Sequence, residues 1–228
     1  MASELSASAL SASALATSGL VANYMWNMRP NERKSIPREC IDRNLNMIPK
    51  HYIIHPEEIN SLAKETPILN ELWDKIPHWI IKADLGRLLY IYNNGNFYFD
   101  VDCVIRKKFD TIQTNKMVLF TEKIVSRPDE LGPRECKNLE NVLRVANYAF
   151  GTTVVKHPFL KEVIDECISR VSWLIHSNMT PLDSDVLWVC GPDVITTVYH
   201  RSRRNYPDLL LLDQSYLSHL CYGSWRGS

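Results

Sequence analysis

The 228-residue chain has no excess of charge of either sign: Lys+Arg and Asp+Glu each number 26, and the formal net charge is zero. A general nucleic-acid binder is usually visibly basic, so no nucleic acid is expected as a partner. No stretch reaches the roughly 18 consecutive apolar residues of a transmembrane helix, which predicts no membrane span. The six cysteines (Cys40, Cys103, Cys136, Cys167, Cys190, Cys221) contain no C-x-x-C pair, which excludes the usual zinc-cluster and redox motifs. Spread so evenly, they read as reduced, mostly buried small residues, and a cytoplasmic location is expected. The N-terminus lacks the basic start of a secretory signal, and no internal repeat is present.

What the chain does have is 45% hydrophobic and 23% charged residues, ordinary proportions for a globular domain with a buried core. Residues 1–45 begin Ser/Ala-rich and read as a low-complexity N-terminal appendage, with residues 46–228 forming a single domain. Met25, Met28 and Met47 are each followed by more typical globular sequence, so an internal start is compatible with this division.

Within the domain, Tyr52-Ile53-Ile54 reads as a buried strand and residues 60–72 as helical or mixed. Leu85, Leu88, Leu89 and Tyr92 have amphipathic-helix spacing, and Asn93-Asn94-Gly95 ends that helix. Residues 96–107 alternate as a strand, with Phe97, Phe99, Val101 and Cys103 on one side and Tyr98, Asp100 and Asp102 on the other. Residues 116–125 form a second buried strand, and residues 138–155 are expected to be a helix running into a short extended piece. The clearest helix spans 157–176, with Pro158 in its first turn. Another starts at Gly191, with Asp193 near its positive end. Residues 208–213 are a last strand. Strands alternating with helices predict an α/β domain.

Asp100-Val101-Asp102 is the chemically pointed feature. Strand geometry sets the two residues on one side, roughly 6.5–7 Å apart. Paired carboxylates repel, and one divalent cation is the natural way to keep both ionised. The aromatic run Phe97-Tyr98-Phe99 before them matches the place where α/β sheets hold ligands, beyond the carboxyl end of a strand. Asp84 and Arg87, three apart on a helix, share a face. They make either an intrahelical ion pair on a solvated face or an acid for sugar hydroxyls beside a guanidinium for phosphate or carboxylate oxygens.

Taken together, Asp84-x-x-Arg87, Tyr92, Gly95 and Tyr98-x-Asp100-x-Asp102 resemble the D-x-x-R…Y-x-x-G-G-x-Y-x-D-x-D signature of the DXD-type sugar transferases. These include the initiating mannosyltransferases, and some small members, of similar size, are encoded by large algal viruses. Further matches follow in order: Ile48-Pro49-Lys50 as the opening, Asn147 then His157-Pro158, Gly191-Pro192, and His219 with Ser224-Trp225 at the end. The resemblance covers about residues 48–226. Two departures stand out: the paired glycines are Gly95-Asn96 here, and the aromatic near the family's opening strand has no counterpart around His55-Pro56.

The resemblance implies a GT-A fold, a mixed central sheet flanked by helices, with residues 46–228 as the glycosyltransferase domain. It implies a metal-dependent glycosyltransferase moving a hexose-type sugar from a nucleotide sugar, UDP-linked before GDP-linked, to a glycan acceptor. Asp102, Asp100 and His219 would hold Mn²⁺, or Mg²⁺ as second choice. Asp84, Arg87, Asp100, Ser224 and Trp225 would bind the donor, and Asp100 and Asp102 would be the catalytic pair. Asp183, Asp185 and Asp193 are candidate bases if the reaction inverts, though surface or capping roles suit them better. His157 is a cap or an acceptor contact. Arg201, Arg203 and Arg204 form either a solvated basic face or a steering patch.

Overall fold

The computed structural model describes residues 19–108, 116–127 and 143–220. Its centre is a six-stranded mixed sheet. β1 (Val21–Met25), β2 (Lys50–Ile54) and β3 (Asn96–Phe99) run parallel, with β1 in the middle. β6 (Leu143–Thr152) lies antiparallel to β3 and to β5 (Met117–Ile124), and β7 (Leu209–Leu212) closes the edge parallel to β5. The order is therefore β2-β1-β3-β6-β5-β7, an α/β architecture of the expected mixed kind.

Two apolar layers cover the sheet. On one face lie α2 (Pro56–Glu65), α3 (Pro67–Leu72), α4 (Trp79–Asn94), α5 (Pro158–His176), α6 (Asp183–Val189) and α7 (Pro192–Ser202). They share a core with Met25, Ile54, Tyr98, Leu119 and Phe150 from the strands. The helix predicted for 157–176 is present as α5 and buries Leu160, Val163, Ile164, Cys167 and Val171 along one side. On the other face α1 (Glu39–Asn44) packs with a two-stranded sheet, β4 (Cys103–Ile105) against β8 (Leu217–His219). Buried Asn44 pins that layer: its amide donates to the Tyr24 hydroxyl at 3.0 Å and to the Cys103 carbonyl at 2.9 Å. Its oxygen accepts from the Ile105 amide at 2.8 Å.

Three expectations need correction. Residues 20–45 do not stand apart from the domain, because β1 lies between two sheet partners and α1 contributes Cys40 and Ile41 to the core. The Ser/Ala-rich texture extends no further than the residues preceding Gly19, which lie outside the described residues. Residues 143–152 are strand β6, not helix. Both faces of β6 are buried, so it shows no alternation, and a continuous apolar run cannot be told from a helix by period alone. Finally, residues 96–107 are not one strand. β3 stops at Phe99 and the chain turns through Asp100–Asp102, the Cys103 amide donating to the Asp100 carbonyl at 3.0 Å.

The predicted helix stop is present. Gly95 caps α4 at φ 70°, a left-handed conformation that costs a glycine little, and its amide donates to the Ile91 carbonyl. Asn96 takes φ 69° in the place of the family's second glycine, and its side-chain oxygen accepts from the Val21 amide at 3.2 Å. Asn is the residue that tolerates such backbone best after glycine.

Candidate active site

The turn at the carboxyl end of β3 gathers the sequence-predicted residues. The Asp100 amide donates to the Tyr148 carbonyl of β6 at 2.8 Å, which anchors the turn to the sheet. Its Oδ1 then accepts from the Tyr98 hydroxyl at 2.7 Å and from Arg87 at 3.0 Å. From α4, Arg87 reaches the Asn147 carbonyl at 3.0 Å and pairs with Asp84 one turn away. The Arg87 guanidinium also lies over the Tyr98 ring, 5.0 Å from its centroid. Of the two readings of Asp84 and Arg87, the solvated face is excluded, since the residues are 6% and 8% exposed.

Burial governs the electrostatics of this group. Desolvation pushes Asp84 up to about 7, with Arg87 and Asn147 pulling the other way and Asp100 adding repulsion. Burial works against the charge on Arg87, yet Asp100 and Asp84 hold it cationic, above its ordinary value. In this group two buried polar atoms have no hydrogen-bond partner among the described residues, Arg87 Nε and Asn147 Oδ1, one donor and one acceptor. A sugar hydroxyl, which both accepts and donates, is a group that satisfies such a pair.

β8 brings the third element. Pairing of Cys103 with His219 sets the imidazole beside the turn, and Nε2 lies 3.1 Å from Asp102 Oδ1 and 3.9 Å from Asp100 Oδ2. Tyr148 stacks on the ring at 4.0 Å, fixing its plane. Asp100, Asp102 and His219 offer ligand atoms that all lie within 4.8 Å of one another. Two carboxylate oxygens and one imidazole nitrogen, each partly exposed, are a donor set that fits one divalent cation with room for further oxygen ligands. The carboxylates hold His219 above its usual value against the opposing effect of burial.

The other candidates go to structural work. Asp185 caps α6, accepting from the Leu182 amide at 2.9 Å, and Asp193 lies 2.8 Å from Arg144. Asp183 is exposed in the first turn of α6. His157 caps α5 through the Phe159 amide at 3.2 Å and pairs with Asp208 at 2.8 Å, which resolves it as a cap. Arg201 is bound to Glu162 and Glu166 at 2.9 Å each, and Arg203 lies over the Tyr199 ring. Ser224 and Trp225 lie outside the described residues, as do Cys136 and Cys221; Cys40, Cys103, Cys167 and Cys190 are buried thiols. Among the described residues no helix is long and apolar enough to cross a membrane.

Two residues near the ends of sheet strands escaped sequence reasoning. Trp26 directly follows β1, and its indole N–H donates to the Lys34 carbonyl at 2.9 Å. It was hidden by placing the opening strand at β2. Glu122 stands at the far end of β5, an acid in an apolar strand, which is the signal that could have marked it.

Comparison with known proteins bears on the fold and on the segment that holds Asp100 and Asp102. Residues 24–119 match the family described as "Glycosyltransferase sugar-binding region containing DXD motif". The match starts inside β1, earlier than the 48–226 stretch that the sequence resemblance covered. A solved structure titled "PaToxG Glycosyltransferase" is similar at TM-score 0.57 and 15% identity, over 87% of this chain and 78% of that one, a likeness of fold. Another, the structure of a transferase mutant, has TM-score 0.42 and 10% identity over 89% and 94% of the two chains, too remote for any argument. No curated protein matches the chain significantly. The matched segment holds Asp84, Arg87, Asp100 and Asp102 and is similar to the DXD-containing sugar-binding region, and the fold around it is shared with that solved glycosyltransferase.

Proposed function

We propose that the protein transfers a hexose-type sugar from a nucleotide sugar to a glycan acceptor, with a divalent ion held by Asp100, Asp102 and His219. The observation that carries this reading is the convergence of those three ligand groups within 4.8 Å, joined through Asp100 to the buried Arg87–Asp84 pair. Mn²⁺ is favoured over Mg²⁺ because an imidazole ligand suits it better. A UDP-sugar is favoured over a GDP-sugar on the family resemblance. Bound there, the ion would offset the charge of the departing diphosphate as a Lewis acid.

The chain's own residues divide the remaining work. Asp102 with His219 supplies the direct ligands, and Asp100 is shared between metal and donor, its Oδ1 held by Tyr98 and Arg87. Asp84, Arg87 and Asn147 receive the sugar hydroxyls, using the unpaired Nε and Oδ1 atoms. The nucleoside lies on the β1 side of the turn, where β1 and β3 end together and Trp26 offers a ring to stack on. Ser224 and Trp225, which follow His219 closely in sequence, are assigned to the donor phosphates on the family resemblance alone. The protein works in the cytoplasm on this reading, consistent with its buried thiols.

Thermal unfolding with a panel of UDP- and GDP-sugars, with and without Mn²⁺, tests the proposal. The melting temperature should rise with at least one donor, and only with metal present. Asp102→Ala should abolish that rise and lower turnover by about 100-fold or more, corresponding to the several kcal/mol a Lewis-acid ion supplies. Metal-independent binding, or normal turnover in the variant, refutes it. Metal-dependent donor binding without turnover would instead indicate a silent binding module.

A further inference from the structure

The antiparallel pair β5–β6 runs on past the point where β3 stops. Phe99, the last residue of β3, pairs with Ala149, whereas the β5–β6 ladder continues through Thr121↔Val145 and Lys123↔Arg144. The four residues from Ala149 to Val145 correspond to roughly 13 Å of ribbon alongside the Asp100–Asp102 turn. In the order β2-β1-β3-β6-β5-β7 this ribbon lies on the opposite side of β3 from β1 and Trp26. Its Tyr148 stacks on His219.

Glu122 and Arg144 meet on this ribbon. Arg144 is buried and its guanidinium lies 2.8 Å from Asp193, itself buried at the start of α7, so that ion pair already balances the charge. Glu122 adds a second carboxylate, its Oε2 buried 3.2 Å from Arg144 Nε. The side chain nevertheless stays 30% exposed, and its buried Oε2, though ion-paired, has no hydrogen-bond partner among the described residues. Glu122 and His219 lie within range of each other's charge. Burial raises Glu122 above its usual value, with Arg144, Lys123 and His219 opposing and Asp193 reinforcing. A second carboxylate on one guanidinium, partly withdrawn from water and within range of the His219 charge, costs stability. Such groups cluster at functional sites.

We propose that Glu122 is an acceptor-binding residue, its Oε1 taking a hydrogen bond from the hydroxyl that receives the sugar, with Arg144 and Asp193 as the residues that position it. Donor and acceptor then enter from opposite sides of the Asp100–Asp102 turn, the nucleoside over β1 and the acceptor along β5–β6. This rests on the transferase reading and assigns the acceptor side of the same site.

The test uses the full chain with Mn²⁺ and whichever of UDP-glucose, UDP-N-acetylglucosamine and GDP-mannose gives the largest thermal shift. Release of nucleoside diphosphate is followed with water alone and with methyl α- and β-glycosides of glucose and mannose as added hydroxyl probes. Glu122→Gln should keep the donor-induced shift and the donor KM, and lower release by about 10-fold or more, the expected loss of a charged hydrogen bond. With a glycoside that speeds wild-type release, its KM should rise in Glu122→Gln. Wild-type rates in Glu122→Gln overturn the proposal, as does loss of the donor shift, which would put Glu122 on the donor side. If Glu122→Gln shows no cooperative melt, Glu122→Asp carries the test: a folded variant with wild-type rates overturns the assignment, and one with partial rates and a normal donor shift supports it. Absence of any donor shift in the wild-type protein removes the transferase reading itself, a different result from an inert Glu122.

Discussion

Asp84 shows how far a single residue's role depends on context that sequence spacing cannot supply. Its distance from Arg87 was compatible with an exposed helix pair, and only the approach of β6 buries both groups and turns Arg87 toward Asp100. That burial has a consequence for stability. The folded-state pKa of Asp84 is raised from about 3.8 to about 7. Below the lower value both states hold the proton; between the two, the unfolded chain releases it and the folded chain keeps it. Stability from this group therefore falls as pH rises through that window and levels off above it. Asp84→Asn cannot ionise, so its melting temperature relative to wild type should become more favourable between pH 4.5 and pH 8. Thermal unfolding at the two values checks this, and a pH-independent difference contradicts it. The same variant should weaken donor binding at both pH values. His219 was legible for a different reason: the ordered resemblance reached it, although a lone C-terminal His carries no chemistry of its own until β4–β8 pairing sets it beside Asp102.

At the scale of elements, helices with a polar face were readable and fully buried strands were not. α5 presents one apolar side, and its spacing and cap state it in sequence. α4, by contrast, is buried nearly all round and was readable from the spacing of Leu85, Leu88, Leu89 and Tyr92 and from its Gly95 stop. β6 has no exposed side to create alternation, and its Leu-x-Val-Ala-x-Tyr-Ala-Phe order fits either period. The Asp100–Asp102 turn was missed because Phe97 to Cys103 alternates so cleanly that nothing in the order of residues demands a stop. The stop is the turn closed by the Cys103 amide donating to the Asp100 carbonyl. The placing of this turn depends on close contact between β3 and β6. A Cβ added at Gly151 would lie 2.5 Å from the Phe97 ring and 2.8 Å from the Asn96 carbonyl oxygen, in the strand pair that leads into Asp100. Gly151→Ala should destabilise the fold by about 1–3 kcal/mol, the usual cost of overpacking. It should also shrink the metal-dependent donor shift, because β3 must move from β6. Denaturant unfolding and donor titration measure the two effects; an unchanged midpoint would mean that the sheet absorbs the methyl group without moving.

At the scale of the whole molecule, the α/β class and mixed sheet were predictable from the alternation of elements, while the boundary was not. Ser/Ala-rich composition carried the appendage reading past Gly19 into VANYM, a five-residue strand too short to contrast with its surroundings. That strand is nonetheless central: it hydrogen-bonds β2 on one side and β3 on the other, and Tyr24 is fully buried against Phe99. A chain starting at Met47 tests the difference, since it keeps every predicted donor and metal residue but lacks β1 and α1. Without β1, the three parallel strands lose their middle member and β2 has no partner. Without α1, Asn44 no longer ties β4 to Tyr24, and the β4–β8 sheet that positions His219 loses its support. The truncated chain should therefore lose cooperative thermal unfolding and all donor-induced stabilisation, whereas a chain starting at Gly19 should retain both. If the Met47 chain melts cooperatively and binds donor with Mn²⁺, β1 is dispensable and the site is built by β3, β6 and β8 alone.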